Sequence, residues 1–345
     1  MKITYEDLMG YLNLLGYGVS KNDVPFYANY IHSQNDKLLA CNDDVYISLN
    51  VQFPFIGSVN FFALEGFVRQ FQEGIFDLNT VDEKLVVECT ENSRIELNIT
   101  DMKLPEIVLE KDSEDIIVTR ELESLLKLAS KFTKSKTSVE LYNYVYFGND
   151  SVCGTDTQRI LYSEFKSGNL ETLLDRKVCY LIREGYSIQR SGTNLVINFP
   201  NELGFAVFTS PINYMINNFG IKKIQLFVNN HRAENKLCNV AFLVDAVKKV
   251  SPILFRESDY NVLLKNGDKK LEVKMQSPLC GTATTIIDSF LDRKLNLIID
   301  STQLQYIPQE YNIYIPDEDS LTLNYLYLLD DVTGTSIIFP YRKGD

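Results

Sequence analysis

Histidine is scarce in this chain: His32 and His231 are the only two. With so few imidazoles, a zinc site is not expected. The six cysteines, Cys41, Cys89, Cys153, Cys179, Cys238 and Cys280, include no Cys-x-x-Cys pair. Wide spacing of that kind fits reduced, mostly buried thiols in a cytosol. Gly-x-Ser-x-Gly, His-Glu-x-x-His and a Gly-rich phosphate loop between strand and helix are also missing. Neither a catalytic residue nor a cofactor is expected.

Long apolar runs are absent too, so nothing here spans a bilayer as a helix. The opening residues, MKITYEDLMGYL, carry acids where a signal peptide has its apolar stretch, and a cytoplasmic protein is expected. Positive charge is in deficit, with 34 Lys and Arg against 46 Asp and Glu, a net −12. That balance favours solubility and argues against general avidity for nucleic acid, while leaving room for a local basic surface. The acidic clusters Asp112-Ser113-Glu114-Asp115 and Asp317-Glu318-Asp319 sit in polar, turn-like stretches. A solvated loop explains them better than a paired acid/base site.

What the chain does have is repetition. Its 345 residues suit two or three domains, and 20 Phe with 20 Tyr can fill several cores. A polar turn followed by a strand recurs as NDKLLACNDDVYISL from Asn35, NDSVCGTDTQRILYS from Asn149 and NGDKKLEVKMQSP from Asn266. The spacings are 114 and 117 residues (149 − 35 and 266 − 149), a domain-sized period. A helical pattern precedes each marker, at 5–15, 119–132 and 239–250. A second follows at 60–71, at 170–181 and, more weakly, at 302–306. Strand pairs around polar turns then come at 85–99, 186–199 and 321–339. Each third therefore reads as helix, strands, helix, strands: an α+β module with helices on one face of an antiparallel sheet. Polar joints at 109–116 and 228–236 set the modules at 1–113, 114–232 and 233–345.

Three helices carry basic groups. In TRELESLLKLASKFTK the apolar stripe is Leu122, Leu125, Leu126, Ala129 and Phe132, and Arg120, Lys127, Lys131 and Lys134 lie on another face. A solvated polar face accounts for these cations, and a phosphate-tracking surface is the sharper alternative. Asn239 caps a helix with Phe242, Leu243, Ala246, Val247 and Val250 inward, closed by Lys248 and Lys249. Asn60 caps a third, with Leu64, Phe67, Val68 and Phe71 inward and Arg69 elsewhere.

Two short stretches are more pointed. In GTDTQRIL, Thr155 and Asp156 suit a tight turn from which Arg159 emerges at a strand start; the first repeat has Tyr46 where Arg159 would be. At the other end, SIIFPYRKGD closes a β-rich run. Pro340 keeps Phe339 extended and removes a ladder donor, so the strand should leave its sheet there, and a tail this apolar should rest against something.

Taken together, the chain resembles the bacterial sliding clamp, the β subunit of the replicative DNA polymerase. CGTDTQRILYS and SIIFPYR carry the resemblance, with KLLACNDDVYISL and LCGTATTIIDSFLDRKLNLIIDSTQL in support. The resemblance implies a non-catalytic head-to-tail dimer closing a ring of six modules around duplex DNA. Helices would line the hole and sheets the outside. Arg69, Arg120, Lys127, Lys131, Lys134, Lys248 and Lys249 would face DNA, weakly enough to slide. Peptides of a polymerase and a clamp loader would dock between the second and third modules. One wall would be Thr155, Thr157, Gln158, Arg159 and Ile160; the other would be Ile337, Ile338, Phe339, Pro340, Tyr341 and Arg342. Pro211 is placed there as well, in a stretch shorter than the family pattern. Such a groove takes Leu and Phe anchors from an extended peptide. Thr157-Gln158 departs from the family's Gly-His, and the divergence suggests a version encoded by a phage or mobile element. On spacing alone, an α+β structural or assembly protein, such as a phage morphogenesis component, stays as the alternative; a carboxylate-dependent hydrolase using Asp317 and Asp319 is a third reading.

Overall fold

The computed structural model describes the chain except residues 22–25, 90–91, 106, 108, 110–114, 134–139, 167–169, 210–212, 255–259, 317–324 and 345. One order of elements runs through it three times. The first pass is β1 (Lys2–Thr4), α1 (Tyr5–Leu15), β2 (Tyr30–Gln34), β3 (Lys37–Cys41), β4 (Val45–Leu49), β5 (Gly57–Asn60), α2 (Phe61–Val68), β6 (Ile75–Val81), β7 (Lys84–Cys89) and β8 (Ser93–Asn98). The second is β9 (Ile116–Ile117), α3 (Arg120–Ser130), β10 (Tyr144–Phe147), β11 (Ser151–Thr155), β12 (Ile160–Glu164), β13 (Thr172–Asp175), α4 (Arg176–Leu181), β14 (Ser187–Ser191), β15 (Asn194–Asn198) and β16 (Gly204–Thr209). Two helices outside the pattern follow, α5 (Asn213–Asn218) and α6 (Ile221–Asn230). The third pass is β17 (Asn235–Asn239), α7 (Val240–Val250), β18 (Asn261–Gly267), β19 (Lys270–Ser277), β20 (Gly281–Asp288), β21 (Leu295–Asp300), a 3-10 turn at Ser301–Tyr306, β22 (Asn312–Ile315), β23 (Tyr325–Leu329) and β24 (Ser336–Pro340). A short β25 (Arg342–Lys343) ends the chain.

Local chemistry accounts for most of these boundaries. The Thr4 hydroxyl accepts from the Asp7 N–H at 3.2 Å, and Asn60 Oδ1 accepts from the Ala63 N–H at 2.9 Å, so each caps the helix it precedes. The tips at Asn35-Asp36 and Asp268-Lys269 have positive φ at both residues, the twist that two-residue hairpins need.

Each pass contributes two half-sheets of four strands. In the first half-sheet the order is β5-β2-β3-β4, then β13-β10-β11-β12, then β21-β18-β19-β20. In the second it is β1-β6-β7-β8, then β9-β14-β15-β16, then β17-β22-β23-β24. Two of the three possible joins are made. β4 pairs with β16, setting Ile47 opposite Ala206, and β12 pairs with β24, setting Ile160 opposite Ile338 and Leu161 opposite Ile337. Two eight-stranded sheets result, beside one of four strands and one of five.

Contacts gather the chain into two compact units. One comprises 1–123, 168–172 and 177–212; the other comprises 124–167, 173–176 and 213–345. The first holds the β4–β16 sheet and the four-stranded β1-β6-β7-β8 sheet, with Leu8, Leu12, Phe61 and Leu64 buried beneath them. The second holds the β12–β24 sheet and the sheet of β18 to β21 with β25.

Several expectations need correcting. The helix read over 170–181 is strand β13 followed by a short α4, because the run Leu173-Leu174 is buried as sheet. The polar joint at 228–236 is the end of α6 and the start of β17, and Val228 is buried. Phe242, read as inward on α7, is 53% exposed. The joint at 109–116, with Asp112, Ser113 and Glu114, and the cluster at Asp317, Glu318 and Asp319 lie largely outside the described residues. None of the six cysteines forms a disulfide, and five are buried while Cys280 is exposed; burial raises Cys41 to about 11 and Cys238 to about 12. No described helix is long and apolar enough to cross a membrane.

Candidate functional site

The turn between β11 and β12 is built around one carboxylate. Asp156 Oδ1 accepts the backbone N–H of Gln158 at 3.1 Å and of Arg159 at 2.7 Å. Its Oδ2 accepts from Arg159 Nε at 2.8 Å and lies 2.7 Å from Nη2. The Thr155 hydroxyl donates to the Arg159 carbonyl at 2.8 Å, which locks the base of the turn. Thr157 takes φ +78°, a left-handed value uncommon for a β-branched residue. The Arg159 guanidinium rests against the rings of Phe132 (5.4 Å) and Tyr306 (5.8 Å). Arg159 is thus a pinned strut rather than a free arm, since its side chain is only 17% exposed.

Strand alternation sorts the other predicted groove residues onto two faces. A Cβ on Gly154 would collide with the Ala129 carbonyl, so that face of β11 meets α3. The neighbouring Cys153 belongs to the opposite face, in one cluster with Tyr146, Tyr162, Tyr327 and Ile338. Ile160 packs against this cluster. Ile337 and Phe339 point the other way and are fully buried, so they share no surface with Ile160 and Ile338. Pro340 ends β24, and the chain crosses to the neighbouring sheet: Lys343 pairs with Leu297, and Arg342 Nη2 donates to Asn261 Oδ1 at 2.6 Å. Tyr341 is buried under that crossing, and its phenol is pushed up by burial, which nearby Arg293 partly offsets. Thr157 and Gln158 are exposed at the turn tip. Pro211 lies outside the described residues.

The Ile160–Ile338 face is not open. Ile216 and Phe219, which lie in and just after α5, and Val228 of α6 are buried in the same cluster, with Ile221, Ile224 and Phe227 packed on its margin. Phe219 stacks on Tyr146 at 5.3 Å between centroids, and Phe227 meets Tyr325 edge-on at 5.5 Å. With α3 beneath and α5–α6 above, the sheet is covered on both faces, which explains why β11 and β24 are buried at successive positions instead of at alternate ones. Beside α6 lies a cleft of about 260 Å³, lined by Glu164, Arg232, Asp330 and Asp331 together with Tyr162 and Leu329. Sequence reasoning missed this covering and the aromatic partners of Arg159.

No family model matches this sequence, and no curated protein matches it. Solved structures do. The DNA polymerase III subunit beta from Pseudomonas aeruginosa superposes with a TM-score of 0.73 at 14% identity over 100% of each chain. The β subunit from Thermotoga maritima gives 0.74 at 13% identity over 100% of this chain and 99% of that one. The Helicobacter pylori beta clamp bound to a DNA ligase peptide gives 0.73 at 15% identity, again over 100% of both. The chain has the sliding-clamp fold.

On this clamp fold the predicted cations lie on or beside the recurring helices. Arg69 is exposed at the end of α2 and ion-paired with Glu65 at 2.8 Å; Arg120 is exposed at the start of α3. Lys127 and Lys131 are half-buried along and after α3. Lys248 and Lys249 are exposed in the last turn of α7, with Lys248 3.9 Å from Asp245. Exposed pairs of this kind hold their partners weakly. Lys134 lies outside the described residues.

Proposed function

We propose that this chain is a non-catalytic sliding clamp: a head-to-tail dimer of three modules each (1–113, 114–232 and 233–345) that encircles duplex DNA and tethers a replicative polymerase. One observation carries the reading. In each join already made, the last strand of a first half-sheet pairs with the last strand of a second half-sheet from another repeat: β4 with β16, and β12 with β24. The same rule leaves β20 and β8 as the remaining pair, and both are edges of their sheets. They are also the long edges, of eight and six residues, whereas the other sheet ends are strands of two to five. A long bare edge is a template for pairing with another chain. Pairing β20 of one copy with β8 of another, twice, closes a ring.

Recurring helices on one side of such a ring carry the cations toward a central duplex, and net −12 keeps other surfaces from adhering to it. A clamp needs weak phosphate contacts, because tight ones would stop it sliding. The fold resemblance to a clamp solved with a DNA ligase peptide supports peptide partners.

Light scattering and electron microscopy test this directly. The expected result is a particle of twice 39.6 kDa with a central hole at micromolar concentration. Ile287, half-buried on the edge strand β20, should be covered in the ring, so Ile287→Asp should give monomers. A monomeric wild-type protein would overturn the ring.

A further inference from the structure

The covering of the Ile160–Ile338 face has its own consequence, which rests on the clamp reading. Helices α5 and α6 stand outside the threefold pattern, and they lie over the face that carries Ile160 and Ile338, two of the residues that the clamp resemblance assigns to a partner groove. Their hold is apolar and aromatic: Phe219 against Tyr146 and Tyr142, Phe227 and His231 against Tyr325. The grip is firm at the two ends and looser between them. Phe219, Val228 and Ala233 are buried, whereas Ile221, Ile224 and Phe227 are half-buried and Leu226 is 61% exposed. Gly220, at φ +73°, joins the two helices and lets the backbone turn between them. A helix of ten residues has little stability of its own and depends on the surface it covers.

We propose that α6 is a resident occupant of the partner-binding face and competes in cis with partner peptides. Ile224 and Phe227, one turn apart, offer the sheet an aliphatic and an aromatic anchor, the chemistry that a Leu- and Phe-bearing peptide brings. Because α6 already covers this face, the peptide gains access when α6 lifts away, with Gly220 as the flexible joint. The affinity seen from outside is then the intrinsic affinity scaled by the fraction of molecules with α6 lifted.

The test titrates a Gln-Leu-x-Leu-Phe peptide against the wild-type protein and against Ile224→Ser/Phe227→Ser, which loosens α6 and leaves Phe219 in place. Hydrogen exchange over 213–230 is followed in the wild-type protein with and without peptide, a measurement that does not depend on the variant folding. Tighter binding by the variant, tenfold or more, with faster wild-type exchange over α6 when peptide is bound, is the expected result. Equal affinities with unchanged or slowed exchange would overturn the proposal, as would binding to neither form. Solution mass, which does not involve this face, then tells whether the clamp reading falls with it.

Discussion

Removing the Asp156 carboxylate should loosen the β11–β12 turn more than any other single change at its surface. In Asp156→Ala, two backbone N–H groups lose their acceptor, at about 1 kcal/mol each. Arg159 also loses its counter-charge while its side chain stays mostly buried, a kind of change that costs about 3 kcal/mol or more. The faces of Phe132 and Tyr306 and the remaining exposure of the guanidinium offset part of that. The expected total is about 4 kcal/mol. Asp156→Asn keeps an acceptor for the two N–H groups and should cost about half as much. Arg159→Met, combined with Asp156→Ala in a double-mutant cycle, should show a coupling of about 2 kcal/mol. Native-state hydrogen exchange of the β11 and β12 amides reads the local opening energy without requiring the whole chain to unfold in one step. A loss below about 1 kcal/mol in Asp156→Ala, or a coupling below about 0.5 kcal/mol, would refute the strut.

Gly154→Ala should destabilise the second unit by about 2 kcal/mol, because the new methyl meets the Ala129 backbone; urea midpoints check this. Thr157→Gly should be neutral or slightly stabilising in the same assay, since it relieves a left-handed β-branched residue. His32 is held neutral, its pKa lowered from 6.5 to about 4 by burial, against a weaker opposing effect of the Tyr27 carbonyl. The unfolded chain takes up a proton that the folded one refuses, so this stability is complete above pH 6.5 and lost as pH falls toward 4, by about 3 kcal/mol. Urea midpoints from pH 7.5 to 4.5 should fall further for wild type than for His32→Leu, and an imidazole that titrates near 6.5 by NMR would refute the assignment. Neutralising Lys248 and Lys249 should flatten the salt dependence of duplex binding, by about one in log–log slope for each lysine that no longer meets a phosphate.

Much of this was legible in the sequence, and the rest was hidden for identifiable reasons. Leu122, Leu126, Ala129 and Phe132 fall at helical spacing, and all four are buried as that spacing requires. The polar turns at Asn35, Asn149 and Asn266 each sit at a hairpin because their neighbours alternate into a sheet. Pro340 marked where the last strand leaves its sheet. The faces of Ile337, Ile338 and Phe339 could not be read, because three apolar residues in a row give no alternation when both sides of a sheet are covered. Helices α5 and α6 escaped notice because Gly220 divides their apolar pattern into two short pieces set among asparagines. The aromatic clasp on Arg159 joins residues far apart in the chain, and no local pattern announces such a contact.

The half-sheet joins also mean that the chain is held together twice, once by peptide bonds and once by ladders, and the two sets of seams do not coincide. Where one repeat hands over to the next, the covalent thread runs through a polar stretch, while five residue pairs of β4 and β16 do the fastening. A single protease cut at 109–116 should therefore leave both fragments in one particle. Expressing the middle repeat by itself should instead expose both the β12 and β16 edges at once and give aggregates. Sequence order, in this architecture, records the order of synthesis more faithfully than it records what supports what.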